Sequence, residues 1–154
     1  EKKNYNCFGI DPSAKKYSNY YNNDVNLIVD YFSAKSVSSR VEKLKLKNKK
    51  FKLISSFAMF YDIDDPNRFC KDIYKLLEKN GLWILEMSHF PMLLSNLTYD
   101  QICHEHVTYY TLDVFKKIAE KNGLKVIDFS FNIINSFDLT FINFLLVVDR
   151  SSVA

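Results

Sequence analysis

One short stretch of the chain concentrates the residues best suited to acid and base chemistry. It covers residues 99–110 and reads Tyr99-Asp100-Gln101-Ile102-Cys103-His104-Glu105-His106-Val107-Thr108-Tyr109-Tyr110. Two of the three histidines of the chain lie in it, and the third, His89, lies shortly before it. A carboxylate beside an imidazole can orient the ring and favour its use as a proton acceptor near neutral pH. The His104-Glu105-His106 string therefore suggests a pair that moves protons.

Two other interpretations of this string stay open on the residues alone. A metal site would use both imidazoles and the carboxylate, but the helical His-Glu-x-x-His spacing of many zinc sites is absent, so no metal is expected. A structural interpretation has the polar side chains anchor a long loop. The connection over residues 88–110 is long for a compact domain and shows little periodicity, as functional loops often do. Its aromatic and apolar content argues against disorder.

Three acidic residues, Asp11, Asp30 and Asp62, come at or shortly after the ends of apolar runs that are typical of strands. In open α/β sheets, ligands bind beyond the carboxyl ends of the strands, and an acid there can accept hydrogen bonds from ribose hydroxyls. Each acid alone is more typical of a cap or of the surface. Their recurrence after successive strands predicts a ligand-binding edge of a sheet.

The elements that must position these residues alternate between strands and helices. Strands are predicted at residues 6–10, 25–29, 51–58, 82–87, 124–129 and 141–148, with 131–134 as an extension of the fifth. Helices are predicted at residues 13–22, within 35–52, from Pro66 through Leu77, and up to Lys121. This alternation predicts an α/β fold with a mostly parallel sheet and helices on both faces.

Two strand predictions are more specific. The near-continuous apolar run at 51–58 predicts a strand that is covered on both faces. The last two strands have no helix between them, so they are predicted to pair antiparallel through the loop 135–138.

The pentapeptide Glu-Lys-Asn-Gly-Leu occurs twice, at residues 78–82 and 120–124. An apolar run follows the glycine at once in each copy. Because glycine adopts the left-handed conformation that ends many helices, Gly81 and Gly123 are both predicted to cap a helix and to lead into a strand.

Composition limits the classes of protein that the chain can belong to. Its 154 residues are 47% hydrophobic and 25% charged, which is typical of one globular domain. The net charge of +3 does not favour nucleic acid as a partner, and no apolar run is long enough for a membrane span. Three glycines cannot supply a GxGxxG loop, and three cysteines without a CxxC pair argue against a disulfide framework. A reducing, cytoplasmic setting is therefore expected.

Several strings together resemble the sugar C-methyltransferases, which are class I enzymes that use S-adenosylmethionine to methylate a carbon of nucleotide-linked keto-deoxysugars. The resemblance covers nearly the whole chain, and its most specific part is the string over residues 99–110. The other matching strings are Gly9-Ile10-Asp11-Pro12-Ser13, then Phe60-Tyr61-Asp62-Ile63-Asp64-Asp65-Pro66-Asn67 with Phe69, and Leu77-Glu78-Lys79-Asn80-Gly81. The resemblance implies a Rossmann-like class I methyltransferase fold, S-adenosylmethionine as cofactor and a nucleotide-sugar substrate.

The same resemblance implies roles for individual residues. His106 matches the base of the family, and Glu105 beside it would orient or tune that imidazole. His104 belongs to the same catalytic string, and Tyr99 and Tyr110 are candidates for the wall of the substrate site or for hydrogen bonds to the substrate. For the cofactor, Asp11 matches the ribose-binding acid, and Asp30, Tyr31 and Phe32 match the adenine region. Ser56, Phe57 and Ala58 would lie along the methionine portion.

The chain also departs from the family pattern. The Gly-rich loop with its first strand, the N-terminal zinc-binding region and the C-terminal domain are not found in it, and Asp62 stands where some members have histidine. Residues 1–154 are therefore expected to be one partial methyltransferase domain, inactive alone, with strand edges free for self-association. Two alternatives remain: a methyltransferase for an O or N acceptor, and a non-catalytic binding module of the same fold.

Overall fold

The computed structural model of the protein describes residues 5–21, 24–47, 49–134 and 139–149. The chain divides into two compact units, Glu1–Lys49 and Lys50–Ala154, and each is described by itself. The longest described helix has 11 residues, and no helix in these ranges is long and apolar enough to cross a membrane.

The described residues of the first unit form two parallel strands, one α-helix and one short 3₁₀ helix. Strand β1 (Cys7–Ile10) pairs in parallel with β2 (Val25–Ile28), as the apolar runs predict. Helix α1 (Ala34–Lys43) begins at Ser33, whose side chain accepts a hydrogen bond from the Ser36 backbone N–H at 3.1 Å. Such an N-cap satisfies one of the unpaired N–H groups at a helix start.

The predicted helix over residues 13–22 is wrong. Residues 12–17 form turns, and only a three-residue 3₁₀ helix, Ser18–Tyr20, follows them. The cause is local, because Asp11 Oδ1 accepts hydrogen bonds from both the backbone N–H and the hydroxyl of Ser13, each at 2.7 Å. This side-chain turn competes with helix formation.

The second unit contains a mixed four-stranded sheet with the order β3-β4-β6-β5. Its strands are β3 (Phe51–Phe57), β4 (Leu77–Ser88), β5 (Leu124–Ile134) and β6 (Leu139–Val148). β3 and β4 are parallel, whereas β6 lies between β4 and β5 and is antiparallel to both. The antiparallel last pair and the extension over 131–134 are thereby confirmed. The loop 135–138 lies outside the described residues.

Three helices accompany this sheet, α2 (Pro66–Leu76), α3 (Phe90–Ser95) and α4 (Leu112–Lys121). The predicted start at Pro66 is confirmed, and the Asp65 side chain caps α2 by accepting from the Arg68 backbone N–H at 2.9 Å. α3 lies in the segment that showed little periodicity, and its six residues are too few for a periodic pattern to be visible.

An aromatic cluster forms the core between one face of this sheet and its helices. Phe60 lies at its centre, with ring centroids at 5.7 Å from Phe69, 5.2 Å from Tyr110 and 5.3 Å from Phe115. The opposite face of β3 is not covered in the same way, because the side chains of Leu53 and Phe57 are each 54% exposed. The prediction of a strand covered on both faces is therefore wrong for β3.

The two copies of Glu-Lys-Asn-Gly-Leu have different structures. Gly123 follows α4 with a φ of +77°, so its prediction as a left-handed cap is confirmed. Gly81 lies inside β4, because α2 has already ended at Leu76, so the second prediction is wrong. A Cβ atom at Gly81 would lie 2.8 Å from the Phe51 carbonyl oxygen, so this glycine permits close approach of the neighbouring strand.

Candidate functional site

The central feature of the candidate site is the contact between His106 and the backbone of Gln101. The Nδ1 atom of His106 lies 2.7 Å from the Gln101 carbonyl oxygen. A carbonyl oxygen can only accept, so in this bond Nδ1 carries the hydrogen and the neutral ring has its lone pair on Nε2. The arrangement leaves Nε2 as the atom of the half-buried ring that can take a proton.

The loop around His106 is held by further hydrogen bonds. The backbone N–H of His106 donates to the Cys103 carbonyl at 3.3 Å, which closes a turn. The Tyr109 hydroxyl donates to the Gln101 carbonyl at 3.2 Å, so this carbonyl accepts from two side chains. These contacts position the imidazole before any ligand arrives.

A second residue that contacts His106 is Tyr61, which sequence reasoning missed. Tyr61 lies on the 3₁₀ helix Phe60–Asp62, and its ring centroid is 4.3 Å from that of His106. The Thr108 backbone N–H donates to the Tyr61 carbonyl at 3.1 Å. Burial, followed by the negative charges of Asp62 and Glu86, raises the pKa of Tyr61 to about 12, so its hydroxyl stays protonated near neutral pH.

Asp62 lies in the electrostatic neighbourhood of the same imidazole. Burial raises the pKa of its carboxyl, the charge of His106 lowers it in part, and the charge of Glu105 raises it further. A positive charge on His106 would therefore have the Asp62 carboxylate within electrostatic reach. The sequence predicted Asp62 at a ligand-binding edge of the sheet, and its proximity to His106 could not be predicted from the pattern.

Glu105 and His104 differ from His106 in exposure. Their side chains are 76% and 92% exposed, and His104 Nε2 lies 3.9 Å from Glu105 Oε1. The hydrogen bond that orients the His106 imidazole comes from the Gln101 carbonyl and not from Glu105, whereas the tuning of that imidazole by Glu105 stays a prediction. Tyr99, at the start of a 3₁₀ helix, is also exposed.

Tyr110 lies in the core and not at a wall of the site. It is 2% exposed and packs against Phe60. Burial raises the pKa of its hydroxyl, and the side chain of Thr108 lowers this pKa in part. The Tyr110 hydroxyl nevertheless has no hydrogen-bond partner among the described residues. The prediction of Tyr110 as a substrate-wall residue is corrected accordingly, since a buried ring serves packing.

His89 follows β4 at its carboxyl end and is 8% exposed. Its ring centroid lies 5.2 Å from that of Phe131, and its Nδ1 atom has no hydrogen-bond partner among the described residues. Burial lowers the pKa of this imidazole, so the neutral form is favoured.

The first unit carries the acids predicted to bind the cofactor. Asp11 and Asp30 follow paired strands, and the Asp11 backbone N–H donates to the Ile28 carbonyl at 3.1 Å. Asp11 Oδ1 caps the turn at Ser13, which leaves Oδ2 without a hydrogen bond among the described residues. A carboxylate oxygen at a strand end is the acceptor that ribose hydroxyls require, so Asp11 fits S-adenosylmethionine.

Asp30 is engaged more fully. Its Oδ1 accepts from the Tyr31 backbone N–H at 2.8 Å and its Oδ2 from the Ser36 hydroxyl at 2.6 Å. Tyr31 is exposed and Phe32 is half-buried. The hydrogen bonds hold the Asp30 carboxylate in one orientation beside these two rings, which offer flat apolar surface of the kind that an adenine base stacks on.

The residues predicted along the methionine portion of the cofactor lie at the end of β3. The Ser56 hydroxyl accepts from Trp83 Nε1 at 2.8 Å, so the side chain of Ser56 faces the aromatic core, and a position of this residue along the cofactor stays a prediction. Phe57 is exposed, and Ala58 adopts a φ of +51° while its N–H donates to the Glu86 carbonyl at 3.0 Å. A non-glycine residue in this conformation is strained, as is common at functional strand ends.

Within the described ranges, no three His, Cys, Asp or Glu side chains are grouped closely enough to hold a metal ion. The cysteines are all free thiols: Cys7 is exposed, Cys103 is half-buried and Cys70 is buried.

Comparisons with known proteins address the family directly. A family model described as a methyltransferase domain matches residues 1–128. The C-methyltransferase NovU of Streptomyces niveus is 27% identical over 120 residues, which are 78% of this chain. The chain spans 28% of the length of that relative.

Solved structures show the same fold. The plantazolicin methyltransferase BpumL, solved with S-adenosylhomocysteine and a pentazolic substrate analogue, is 15% identical with a TM-score of 0.63, over 94% of this chain and 68% of its own. A Listeria monocytogenes protein assigned as an S-adenosylmethionine-dependent methyltransferase is 12% identical with a TM-score of 0.63, over 93% of this chain and 80% of its own. These similarities establish the Rossmann-like α/β fold.

The family model covers most of the chain, and the fold agrees with it. The chain therefore belongs to the methyltransferase-domain family of S-adenosylmethionine-dependent enzymes.

Proposed function

We propose that the protein transfers a methyl group from S-adenosylmethionine to the carbon beside the ketone of a nucleotide-linked keto-deoxysugar. The observation that carries this proposal is the His106 imidazole, held through Nδ1 by the Gln101 carbonyl with Nε2 free to take a proton. The similarity to a C-methyltransferase supports the choice of carbon as acceptor. The proposal concerns the whole protein, because the chain spans 28% of that relative's length.

Methylation of a carbon atom requires a base, whereas methylation of many oxygen and nitrogen acceptors does not. A carbon beside a ketone becomes a nucleophile only when its C–H bond breaks and the electron pair enters the enolate. His106 Nε2 accepts that proton, and Nδ1–H keeps its bond to Gln101 in the resulting imidazolium. The carboxylate of Asp62 then lies within electrostatic reach of the new positive charge.

S-adenosylmethionine supplies an electrophilic methyl group on a sulfonium sulfur. Asp11 would hold its ribose through Oδ2, and Asp30 with Tyr31 and Phe32 would contact the adenine. Calorimetric titration with S-adenosylhomocysteine tests this assignment independently of the sugar. Asp11→Asn should weaken binding by at least tenfold, because asparagine has a single, uncharged acceptor oxygen, which cannot hold the turn at Ser13 and the ribose hydroxyls as the two carboxylate oxygens would.

Transfer of labelled methyl from S-adenosylmethionine to a nucleotide-linked keto-deoxysugar tests the reaction. The full protein should form a product with the label on carbon, and His106→Asn should lower kcat by about 100-fold or more while cofactor affinity is retained. Turnover that survives His106→Asn would indicate an O or N acceptor instead. Absence of S-adenosylhomocysteine binding would indicate a non-catalytic module of the same fold.

A further inference from the structure

We infer that Tyr61 is a positioning residue that fixes the plane of the His106 imidazole. Its ring acts together with the Gln101 carbonyl, and the inference rests on the proposed role of His106 as base. The two ring centroids are 4.3 Å apart with an angle of 52° between the planes. At this distance the rings are in van der Waals contact, so the tyrosine ring blocks rotation of the imidazole toward it.

Tyr61 is itself held rigidly. It is 6% exposed and lies next to Phe60, which is 0% exposed and packs against four aromatic rings of the core. A ring attached to so densely packed a neighbour has little freedom to move. The core of the second unit thereby supports a residue at the site.

A backbone contact joins Tyr61 to the loop as well. The Thr108 N–H donates to the Tyr61 carbonyl, so the segment two residues beyond His106 is tied to the same 3₁₀ helix, Phe60–Asp62. The loop is therefore held by Tyr61 at the ring of His106 and at the backbone that follows it. Mutation of the Tyr61 side chain removes the first contact and leaves the second.

The His106 ring lies between two tyrosines. Tyr109 lies on another side, with its ring centroid at 6.2 Å and an interplanar angle of 66°. Rotation of the imidazole by half a turn would exchange Nδ1 for a carbon atom at the Gln101 carbonyl and lose the 2.7 Å hydrogen bond. Because the contact with Tyr61 is made by the ring, phenylalanine should replace tyrosine at this position and leucine should not.

The tautomer of His106 can be measured directly, because the chain has only three histidines and their signals can be distinguished. With ¹⁵N-labelled histidine, long-range ¹H–¹⁵N spectra show which ring nitrogen of each imidazole carries the hydrogen. The wild-type chain and Tyr61→Phe should show His106 as a single Nδ1–H form. Tyr61→Leu should show a mixture of the two neutral tautomers at His106, with the His89 and His104 signals unchanged.

Activity gives a second readout in the full protein. Tyr61→Leu should lower kcat by about tenfold to a hundredfold with little change in KM, because the base is misplaced while substrate binding is retained. Tyr61→Phe should restore kcat to within about twofold of wild type. Phe115→Leu is the matched control, since it truncates a fully buried ring that contacts Phe60 and not His106.

Three outcomes would overturn the inference. The first is a folded Tyr61→Leu variant in which His106 is purely in the Nδ1–H form and kcat equals that of wild type. The second is a Phe115→Leu variant that loses the Nδ1–H form of His106 as much as Tyr61→Leu does. If Tyr61→Leu does not fold, the wild-type chain decides, because rings at 4.3 Å must give strong nuclear Overhauser effects between Tyr61 and His106. Their absence is the third. A failure of the proposed function can be distinguished from a failure of this inference. If His106 is not the base, His106→Asn retains turnover, whatever tautomer the spectra show for His106 in the Tyr61 variants.

Discussion

The Nδ1 atom of His106 lies 2.7 Å from the carbonyl oxygen of Gln101. Because the acceptor is a backbone carbonyl, the tautomer of the imidazole does not depend on the ionisation of another side chain. Catalytic histidines are often oriented by a carboxylate, and the adjacent Glu105 is exposed and lies near His104 instead. The orientation of the ring is therefore expected to persist over the whole pH range in which the loop is folded.

Ser56 and Trp83 form a buried pair that should be costly to break. Ser56→Ala removes the acceptor for the indole N–H of Trp83, which is 0% exposed, and should lower the free energy of unfolding by about 1 to 3 kcal/mol. Urea denaturation followed by the fluorescence of the single tryptophan measures the change. The neighbouring Ser55 is exposed, so Ser55→Ala is the control and should have almost no effect. Equal stabilities of the two variants would contradict the role of this hydrogen bond.

Gly123 should not tolerate a side chain. Its φ of +77° costs an alanine about 1 to 2 kcal/mol, and a Cβ atom would lie 2.8 Å from Tyr74 Cε2. Gly123→Ala should therefore lower the free energy of unfolding by at least about 1 kcal/mol in urea denaturation. Gly9→Ala is the matched control, because its nearest contact, Leu27 Cδ1 at 3.4 Å, is an ordinary one. If Gly9→Ala is as destabilising, the conformational explanation is incorrect.

His89 should make stability depend on pH. Burial lowers its pKa in the folded chain, whereas the unfolded chain has the ordinary value of about 6.5. As the pH falls below about 6.5, the unfolded chain takes up a proton that the folded chain does not, so stability decreases until the folded pKa is passed. His89→Phe keeps a ring against Phe131 and cannot titrate, so it should remove this part of the decrease.

The measurement for His89 is thermal or urea unfolding at a series of pH values between 5 and 8. The control is His104→Gln, which replaces an exposed histidine and should keep the wild-type dependence. A wild-type pH dependence in His89→Phe would show that His89 is not the group responsible.

The three cysteines should react at very different rates. Burial raises the pKa of the Cys70 thiol to about 12, and the residue is 0% exposed, so neither thiolate nor access is available. Cys7 is exposed and should be alkylated by iodoacetamide in the folded chain, with Cys70 modified only after urea unfolding. Mass spectrometry of peptides identifies each site. Modification of Cys70 as fast as Cys7 in native buffer would contradict the described core.

Much of the architecture follows from patterns that the sequence displays locally. The strands could be predicted because each is an apolar run bounded by turn residues, and the start of α2 because Asp65 and Pro66 form a clear N-terminal signal. The helix predicted over 13–22 failed because one side chain, Asp11, satisfies the backbone of a turn. The two Glu-Lys-Asn-Gly-Leu copies differ because residues 77–80 join the strand that pairs with β3, so neighbouring structure overrides local preference.

The candidate site was predictable only in part. His106 stood out by residue type and spacing, but the group that orients it is a backbone carbonyl, which every residue has and no sequence pattern marks. Tyr61 reaches His106 only because the fold brings the end of β3 beside the loop, and this proximity depends on long-range packing. Tyr110 is adjacent to Tyr109 in sequence yet faces the core, since alternating positions of an extended segment point in opposite directions.

The central claim is that His106 removes the proton from the carbon that is methylated. The most direct measurement incubates the full protein in D₂O with a nucleotide-linked keto-deoxysugar and S-adenosylhomocysteine, which fills the cofactor site without a methyl group to transfer. Mass spectrometry then follows deuterium uptake at the carbon beside the ketone. We predict uptake with wild type and a rate lower by about 100-fold to 10,000-fold with His106→Asn. Uptake at the wild-type rate in His106→Asn would contradict the account.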